Sequence, residues 1–357
     1  MFVRRFNFWV ALITVPVYLS SLVPASEFWP AGFVSLGIPF FLVLNAALLL
    51  ISIMRRSPRF KLPLLMLLLG VRFITATFSF HPLASSEKAG KEIKVVSYNV
   101  RLLEGGHKPG PEQIILAVKI LKWLDSCNAD VICLQEFLDK PESRTFNTIE
   151  RMKASGYKYR YFSQGWVLAN HGRVGMAIFS KFPIKTGNRL RRSDKGNNQL
   201  IYADIKTPSG MVRVYNIHLA SLHIREREIE DNDTPEEMEK HARSVIGKIK
   251  RGFRRRGLQT DALESNLDSC QYPVILCGDL NDPPCSNTYF RIRDRMNNAF
   301  ESAGNGFGIS YLGFIPFLRI DNQFVDKRFK ITSFRTHREA TWSDHYPISA
   351  TYILEKD

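Results

Sequence analysis

The stretch Pro273–Pro284, PVILCGDLNDPP, decides how the rest of the chain is read. Val274 to Cys277 form an apolar run of the length expected for a strand buried on both faces. The run stops at Gly278 and gives way to Asp279, Asn281, Asp282 and two prolines. By itself this is a strand meeting a turn. An Asp-x-Asn pair on extended chain also points both side chains to one face, because strand side chains alternate. One can then orient or deprotonate a water while the other contacts a phosphate. A carboxylate with an amide oxygen also suits a hard cation such as Mg²⁺, which takes one or two carboxylates plus substrate phosphate oxygens.

Outward from this stretch, other strand-like runs finish in the same manner. IKVVSYNV (93–100) reaches Asn99, ADVICLQEF (129–137) reaches Glu136, and MVRVYNIHL (211–219) reaches His218. RIDNQFVD (319–326) carries Asp321, and Ser343-Asp344-His345 stands just before the last strand, HYPISATYIL (345–354). GMAIFSKFPI (175–184) and LIYADIKT (200–207) are further strands, the latter joined to its successor by Pro208-Ser209-Gly210. PEQIILAVKILKWLDSC (111–127) has helical periodicity. TPEEMEKHARSVIGKIKRGFRRRG (234–257) is a second helix, with a capping box at Thr234 and Glu237. Strands too numerous for one parallel sheet, mixed with a few helices, predict packed sheets with helical outer layers.

Taken singly, Asn99 reads as a turn residue, Glu136 as an ordinary strand end and His218 as a hydrogen-bonded structural histidine. Together they form an inventory for metal or phosphate chemistry. Asp344, next to His345, supplies a carboxylate that can fix the imidazole, and a protonated histidine can stabilise charge growing on a phosphoryl group. No Gly-x-Ser-x-Gly elbow and no P-loop is present, which argues against serine hydrolases and NTPases.

Composition changes sharply near residue 82. Three apolar stretches precede it, Phe6–Pro24, Trp29–Met54 and Leu62–Phe80, each reaching the ~20 residues of a membrane-spanning helix. Three in succession exceed a signal peptide. Phe8, Trp9, Phe28 and Trp29 fall where interfacial aromatics belong. Arg72 lies inside the third stretch and is expected to face another helix or snorkel. Arg4 and Arg5 precede the first stretch, and Arg55, Arg56, Arg59 and Lys61 separate the second from the third. The positive-inside rule places those flanks in the cytoplasm; three crossings place the remainder outside it, whereas failure of the third stretch to cross would leave the remainder cytoplasmic. The expected organisation is a membrane anchor over 1–81, a polar linker over 82–92 and a catalytic domain over 93–357. The chain reads as an integral protein of an inner or plasma membrane, its domain extracytoplasmic (periplasmic).

Net charge is +15, from 49 basic and 34 acidic residues, which favours an anionic partner such as nucleic acid, anionic lipid or a phosphorylated substrate. Basic residues concentrate in Arg189–Arg192 and Lys248–Arg256. The second run reads equally as a solvated helix face or a membrane-facing surface. The five cysteines form no C-x-x-C, so neither a zinc site nor a disulfide framework is expected. Cys133 and Cys277 lie in strand-like runs and read as buried thiols.

The ordered set SYN, LQE, NIHL, GDLND, RID and SDH resembles the endonuclease/exonuclease/phosphatase superfamily, which includes apurinic-site endonucleases, pancreatic deoxyribonuclease, neutral sphingomyelinases and inositol-polyphosphate 5-phosphatases. The likeness runs from about Lys94 to Leu354. It implies an α/β fold, a four-layer sandwich of two mixed sheets flanked by helices, here preceded by transmembrane helices. It implies metal-dependent phosphoester hydrolysis by in-line attack of water. Asn99 and Glu136 match the metal positions, with Glu136 the principal Mg²⁺ or Mn²⁺ ligand. His218 matches a phosphate contact, Asp279 the residue that positions or deprotonates water, and Asn281 its phosphate-orienting partner. Asp344 and His345 match the terminal pair, and Asp321 a supporting acid. The position after RID is commonly aromatic, whereas here it is Asn322. An endonuclease or general phosphodiesterase is the first expectation. Phospholipid or sphingomyelin phosphodiesterase, inositol-phosphate phosphatase and a non-catalytic phosphate binder follow. No protein partner is predicted.

Overall fold

The computed structural model describes residues 2–82, 91–104, 110–169, 171–190, 198–222, 235–313 and 317–355. The expected linker falls largely outside the described residues, as do the Thr234 cap and Arg191–Arg192, and the side chains of Arg4 and Arg5 are likewise not described. The chain divides into two compact units, the larger comprising Ser79–Ser221, Gln259–Asn281 and Ile292–Asp357.

Two six-stranded sheets build the larger unit. In the first the order is Phe329–Thr336, Ile348–Leu354, Glu92–Asn99, Val131–Asp139, Arg173–Ser180, Tyr159–Val167. In the second it is Asn297–Asn298, Asp321–Val325, Val274–Asp279, Gly210–His218, Leu200–Thr207, Ile184–Arg189. Each sheet is mixed, with one parallel pair, Glu92–Asn99 beside Val131–Asp139 and Gly210–His218 beside Val274–Asp279.

The alternation of strand side chains explains why these runs are continuously apolar. Val95, Val131, Cys133, Ile178, Val214, Ile275 and Cys277 fill the space between the sheets. Val96, Tyr98, Ile132 and Leu134 point the other way, onto Ala117, Ile120, Leu121 and Leu124 of the helix Pro111–Ser126. On the outer side of the second sheet, the Tyr215 hydroxyl donates to Asn266 Oδ1 at 2.7 Å, from the last turns of the helix Pro235–Asp268. The result is the α/β sandwich of two mixed sheets with helical outer layers. All five cysteines are free thiols, Cys133 and Cys277 among the buried ones.

The smaller unit comprises Met1–Phe78, Leu222–Leu258 and Asp282–Arg291. One helical stretch there, Trp29–Met54, is by itself long and apolar enough to cross a membrane. Its backbone stays right-handed helical through Leu36 and Gly37. Val43, Leu50 and Met54 are exposed on it, so its outer surface is apolar, as on a helix solvated by lipid. Inside, Asn45 Nδ2 donates to Thr14 Oγ1 at 3.1 Å and thereby satisfies a buried amide. The first expected span is a shorter apolar helix, Phe6–Ser20.

The third expected span departs from a straight helix: Pro58–Leu69 and Val71–Thr77 meet at a 58° bend. The break is at Gly70, where a β-carbon would lie 2.8 Å from both Leu42 and the Tyr18 hydroxyl, so close packing demands glycine. Arg72 follows the bend and stacks its guanidinium 4.0 Å from the centre of the Phe290 ring, contributed by the helix Asn287–Arg293. The basic run Lys248–Arg256 is also not uniformly solvated. Arg256 is only 1% exposed and pairs with Asp282, Nη1 to Oδ1 at 2.5 Å, whereas Lys250, Arg251, Arg254 and Arg255 are exposed. Asp282 of the GDLND motif is therefore a structural acid, raised by burial and drawn back down by Arg256.

Candidate active site

Register brings the polar strand ends to one edge of the sandwich. His218 pairs across the parallel ladder with Asp279, and Asp279 pairs across the antiparallel ladder with Asp321. Asn99 is the last residue of its strand and donates from Nδ2 to Asp279 Oδ2 at 3.2 Å. His218 Nε2 is 3.5 Å from Asp279 Oδ2 and 3.9 Å from Glu136 Oε1. His345 Nε2 lies 3.8 Å from that same Asp279 oxygen. All eight residues singled out in the sequence thus belong to one constellation centred on Asp279.

Two contacts differ from expectation. The Asp-x-Asn pair is not extended: the strand ends at Asp279, and Asn281 has φ +50°, in the left-handed region. A turn aligns the two side chains instead. The Asn281 backbone N–H donates to Asp279 Oδ1 at 2.8 Å, and its Nδ2 donates to Leu219 O at 2.9 Å. The carboxylate that fixes the His345 imidazole is also not its neighbour in sequence. Asp321 Oδ2 lies 2.7 Å from His345 Nδ1, while Asp344 Oδ1 is 4.0 Å from Nε2. Adjacent residues point apart, and only the fold brings Asp321 under the ring. Asn322, the departure from the resemblance, is buried away from the reacting groups and contacts Arg319 and Asn298.

Left-handed backbone concentrates here. Arg101, Leu102 and Leu103, which follow Asn99 after Val100, have φ of 43°, 56° and 51°, and Glu136 has φ 48°. Such residues cost on the order of 1–3 kcal/mol each and persist where the surroundings over-determine them. Glu136 sits in a β-bulge: the pairing of its strand with Arg173–Ser180 shifts between Leu134 and Phe137. The bulge re-aims one side chain, and Glu136 is correspondingly half-buried within an otherwise buried strand.

Burial and crowding of like charge set the protonation. Burial pushes Asp279 up to about 7, opposed by His345 and reinforced by Asp321. Glu136 is raised by burial, against the attraction of His218 and with the repulsion of Asp344. For His345 burial opposes the imidazolium, but Asp321 and Asp279 outweigh it and raise the group to about 10. The ring therefore stays charged through neutral pH. Replacing Asp321 with Asn removes the largest raising influence, so the alkaline limb of a kcat–pH profile moves to lower pH. A profile superposable on wild type would show that Asp321 does not set the charge on His345.

Several residues that build the site carry no signature of their own. Gln135 donates from Nε2 to Ser97 Oγ at 3.1 Å and to Asn216 Oδ1 at 2.6 Å, and Asn216 Nδ2 donates to the Leu134 and Ala177 carbonyls. This buried bridge joins the two sheets directly beneath Glu136 and His218. Ser343 Oγ donates to the Asn99 carbonyl at 2.9 Å, and the Tyr311 ring packs edge-on against His345 with centroids 5.1 Å apart. A polar residue inside an apolar strand was the available signal for Gln135 and Asn216. Two ligand sets are on offer for a cation: Glu136 with Asn99, and Asp279, Asp321 and His345, whose ligand atoms lie within 4.8 Å of one another.

Comparison with known proteins agrees with this architecture. The model of the endonuclease/exonuclease/phosphatase family matches residues 96–345, and that of a domain of unknown function (DUF8431) matches residues 1–77. No curated protein matches the sequence. Among solved structures, the chain is similar to an endonuclease/exonuclease/phosphatase family protein from Leptotrichia buccalis, at 15% identity and TM-score 0.51, covering 72% of this chain and 98% of that one. The human Nocturnin catalytic domain with bound sulfate is 18% identical with TM-score 0.50, covering 73% of this chain and 94% of that one. A family protein from Bacteroides thetaiotaomicron is 16% identical with TM-score 0.50, covering 75% and 97% respectively. At these identities the likeness concerns the fold.

Proposed function

The chain belongs to the endonuclease/exonuclease/phosphatase family, and from that premise we propose that it is a membrane-anchored, divalent-metal-dependent phosphodiester hydrolase. The observation that carries the reading is the convergence of Glu136, Asp279, Asp321 and Asp344 on two imidazoles, His218 and His345.

In this reading Mg²⁺ or Mn²⁺ would be held by Glu136 and Asn99. His345 is held as an imidazolium with Nδ1 committed to Asp321, so the trio with Asp279 handles protons and is a poor ligand set. Glu136 is crowded by Asp344 and Asp279, a repulsion that a cation relieves, and the Asn99 amide oxygen, which accepts only from the Arg101 N–H at 3.2 Å among the described residues, is a hard donor of the kind such a cation takes. When bound, the cation neutralises charge on the phosphoryl oxygens.

Water is then oriented by Asp279, which at about 7 is basic enough to take its proton near neutral pH. The water oxygen attacks phosphorus, the ester P–O bond opposite it breaks, and no covalent intermediate forms. His345 and His218 face the position of the phosphoryl oxygens and meet the charge that develops there. Asn281 and Asn99 hold Asp279 in place through their amides. Chelation with EDTA is expected to abolish release of p-nitrophenol from bis(p-nitrophenyl) phosphate, and Mg²⁺ or Mn²⁺ to restore it. Full activity in EDTA, or no activity with any divalent ion, would remove the proposal.

The packing of the smaller unit supports a side for the domain. Phe253 lies against Gly32, Gly257 against Ser26, and Asn287 Nδ2 donates to Ser21 O at 3.0 Å. Phe253, Gly257 and Asn287 thus meet the anchor near the turn from its first helix into its second, at the far end of the helix Ile38–Met54 from Arg55–Lys61 in the sequence. With that basic loop cytoplasmic, the chain beyond the anchor is extracytoplasmic. A reporter fused after Asp357 should be active when it functions outside the cytoplasm, and activity of a cytoplasmic reporter alone would overturn this side.

A further inference from the structure

The basic run between the second and third apolar stretches carries more than the charge that sets orientation. Arg55, Arg56, Arg59 and Lys61 are all exposed, and none forms an ion pair among the described residues. The sequence holds no acidic residue between Glu27 and Glu87. Beside this run lies a cavity of about 550 Å³, within the roughly 300–1,000 Å³ of small-ligand sites. Its hydrocarbon walls are Leu49, Ile53, Phe60 and Leu64, and its polar groups are Ser52, Arg56 and Ser57. We propose that this cavity holds one anionic glycerophospholipid as a resident ligand of the anchor; this rests on the membrane-anchor reading above and not on the reaction.

Positive flanks alone call for no cavity and no particular backbone. Here Arg56 has φ +46°, the left-handed conformation that usually reserves the position after a helix for glycine. The turn is held by the Arg56 N–H, which donates to the Ile53 carbonyl at 2.9 Å, and by the Ser57 N–H, which donates to the Ser52 carbonyl at 2.9 Å. Strain of this kind collects at ligand clamps. Ser52 is the second sign of a ligand. It is 7% exposed and lines the cavity, yet its hydroxyl has no hydrogen-bond partner among the described residues. A buried hydroxyl in an apolar helix ordinarily donates to the preceding turn, as Thr14 does to the Val10 carbonyl at 2.7 Å. The Ser57 hydroxyl accepts from the Arg59 N–H at 3.4 Å and keeps its own proton to donate. Leu49, Ser52 and Arg56 therefore present hydrocarbon, hydroxyl and cation in order over about two turns. A glycerophospholipid carries acyl chain, ester carbonyl and phosphate in the same order. A free phosphate would leave the apolar walls unused. In the orientation proposed above this end meets the cytoplasmic leaflet, where anionic headgroups attract juxtamembrane cations.

The full chain in a neutral detergent is titrated with phosphatidylglycerol or phosphatidylcholine of matched chains and read by native mass spectrometry. One phosphatidylglycerol per chain should be retained, about fivefold or more tightly than phosphatidylcholine. Arg56→Gln removes the cation that lines the cavity and should cost about fivefold in that affinity, whereas Arg55→Gln removes the same charge outside the cavity and should cost less. Leu64→Trp keeps all four cations but fills the hydrocarbon side, so retention of phosphatidylglycerol should fall about tenfold. Equal retention of the two lipids, equal losses in the two arginine variants, or undiminished retention in Leu64→Trp would each reduce the site to diffuse surface charge and overturn it. So would displacement of phosphatidylglycerol by inorganic phosphate, since the cavity would then be a site for a free anion. Alkaline carbonate extraction of cell membranes separates this inference from the anchor reading. Release of the chain into the supernatant overturns both, and a chain that stays in the membrane without lipid preference overturns the lipid site alone.

Discussion

Asp279→Ala and His345→Ala should each lower turnover of bis(p-nitrophenyl) phosphate by about 10²–10⁴-fold, with circular dichroism and melting temperature close to wild type. Asp279 is the most heavily shared group in the site. It accepts from the Asn99 and Asn281 amides and lies within 4 Å of both His218 and His345. In the proposed mechanism, removing it deletes the acceptor for the water's proton, and it also takes away the carboxylate that both imidazoles approach. The fold tolerates the change, because burial already disfavours the ionised carboxylate and raises it to about 7. His345→Ala deletes the cation that the proposed mechanism sets against the phosphoryl oxygens and leaves Asp321 without its 2.7 Å partner. Asp279→Asn separates the roles: it preserves the shape and some hydrogen bonds but cannot accept the proton, so its loss should match that of Asp279→Ala. Wild-type turnover in either alanine variant would refute the assignment.

How much of this was legible in the sequence can be judged residue by residue. Strands announce themselves because both their faces are buried, and their ends because an apolar run cannot continue through Asn99, His218 or Asp279. What periodicity cannot convey is long-range pairing. Asp344 adjoins His345 in sequence, yet the imidazole is held by Asp321 because strand register places Asp321 beside Asp279. Local conformation is hidden as well. Asn281 satisfies an alternation rule only if the chain stays extended, and its φ of +50° shows that it does not. Charge patterns mislead where a residue is internal: Arg256 looks like part of a basic surface until Asp282 is found against it. The Gly70 bend likewise depends on Tyr18 and Leu42, which are remote in sequence. The inter-sheet bridge of Gln135 and Asn216 was visible only as polar letters inside apolar strands, without a partner.

Gly278→Ala should unfold the catalytic region more severely than any substitution of the reacting groups. Gly278 has φ +140°, and a β-carbon there would lie 1.9 Å from the Ile217 carbonyl oxygen and 2.8 Å from its nitrogen. Those atoms are backbone in the neighbouring strand, so no side chain can rotate away. Gly278 is also locked on both sides, paired with Ile217 in the parallel ladder and with Asn322 in the antiparallel one. Relief would require parting the strands that carry His218 and Asp279. Conformational strain of about 1–3 kcal/mol adds to overpacking of about 1–3 kcal/mol, and together they lower the melting temperature by roughly 10 °C. Gly156→Ala separates the two contributions, since Gly156 has φ +96° but nothing within 4 Å of its added β-carbon. It should show the conformational cost alone, with hydrolysis intact in the folded protein. If Gly278→Ala melted no lower than Gly156→Ala, close approach of the two strands would not be what reserves the position before Asp279 for glycine.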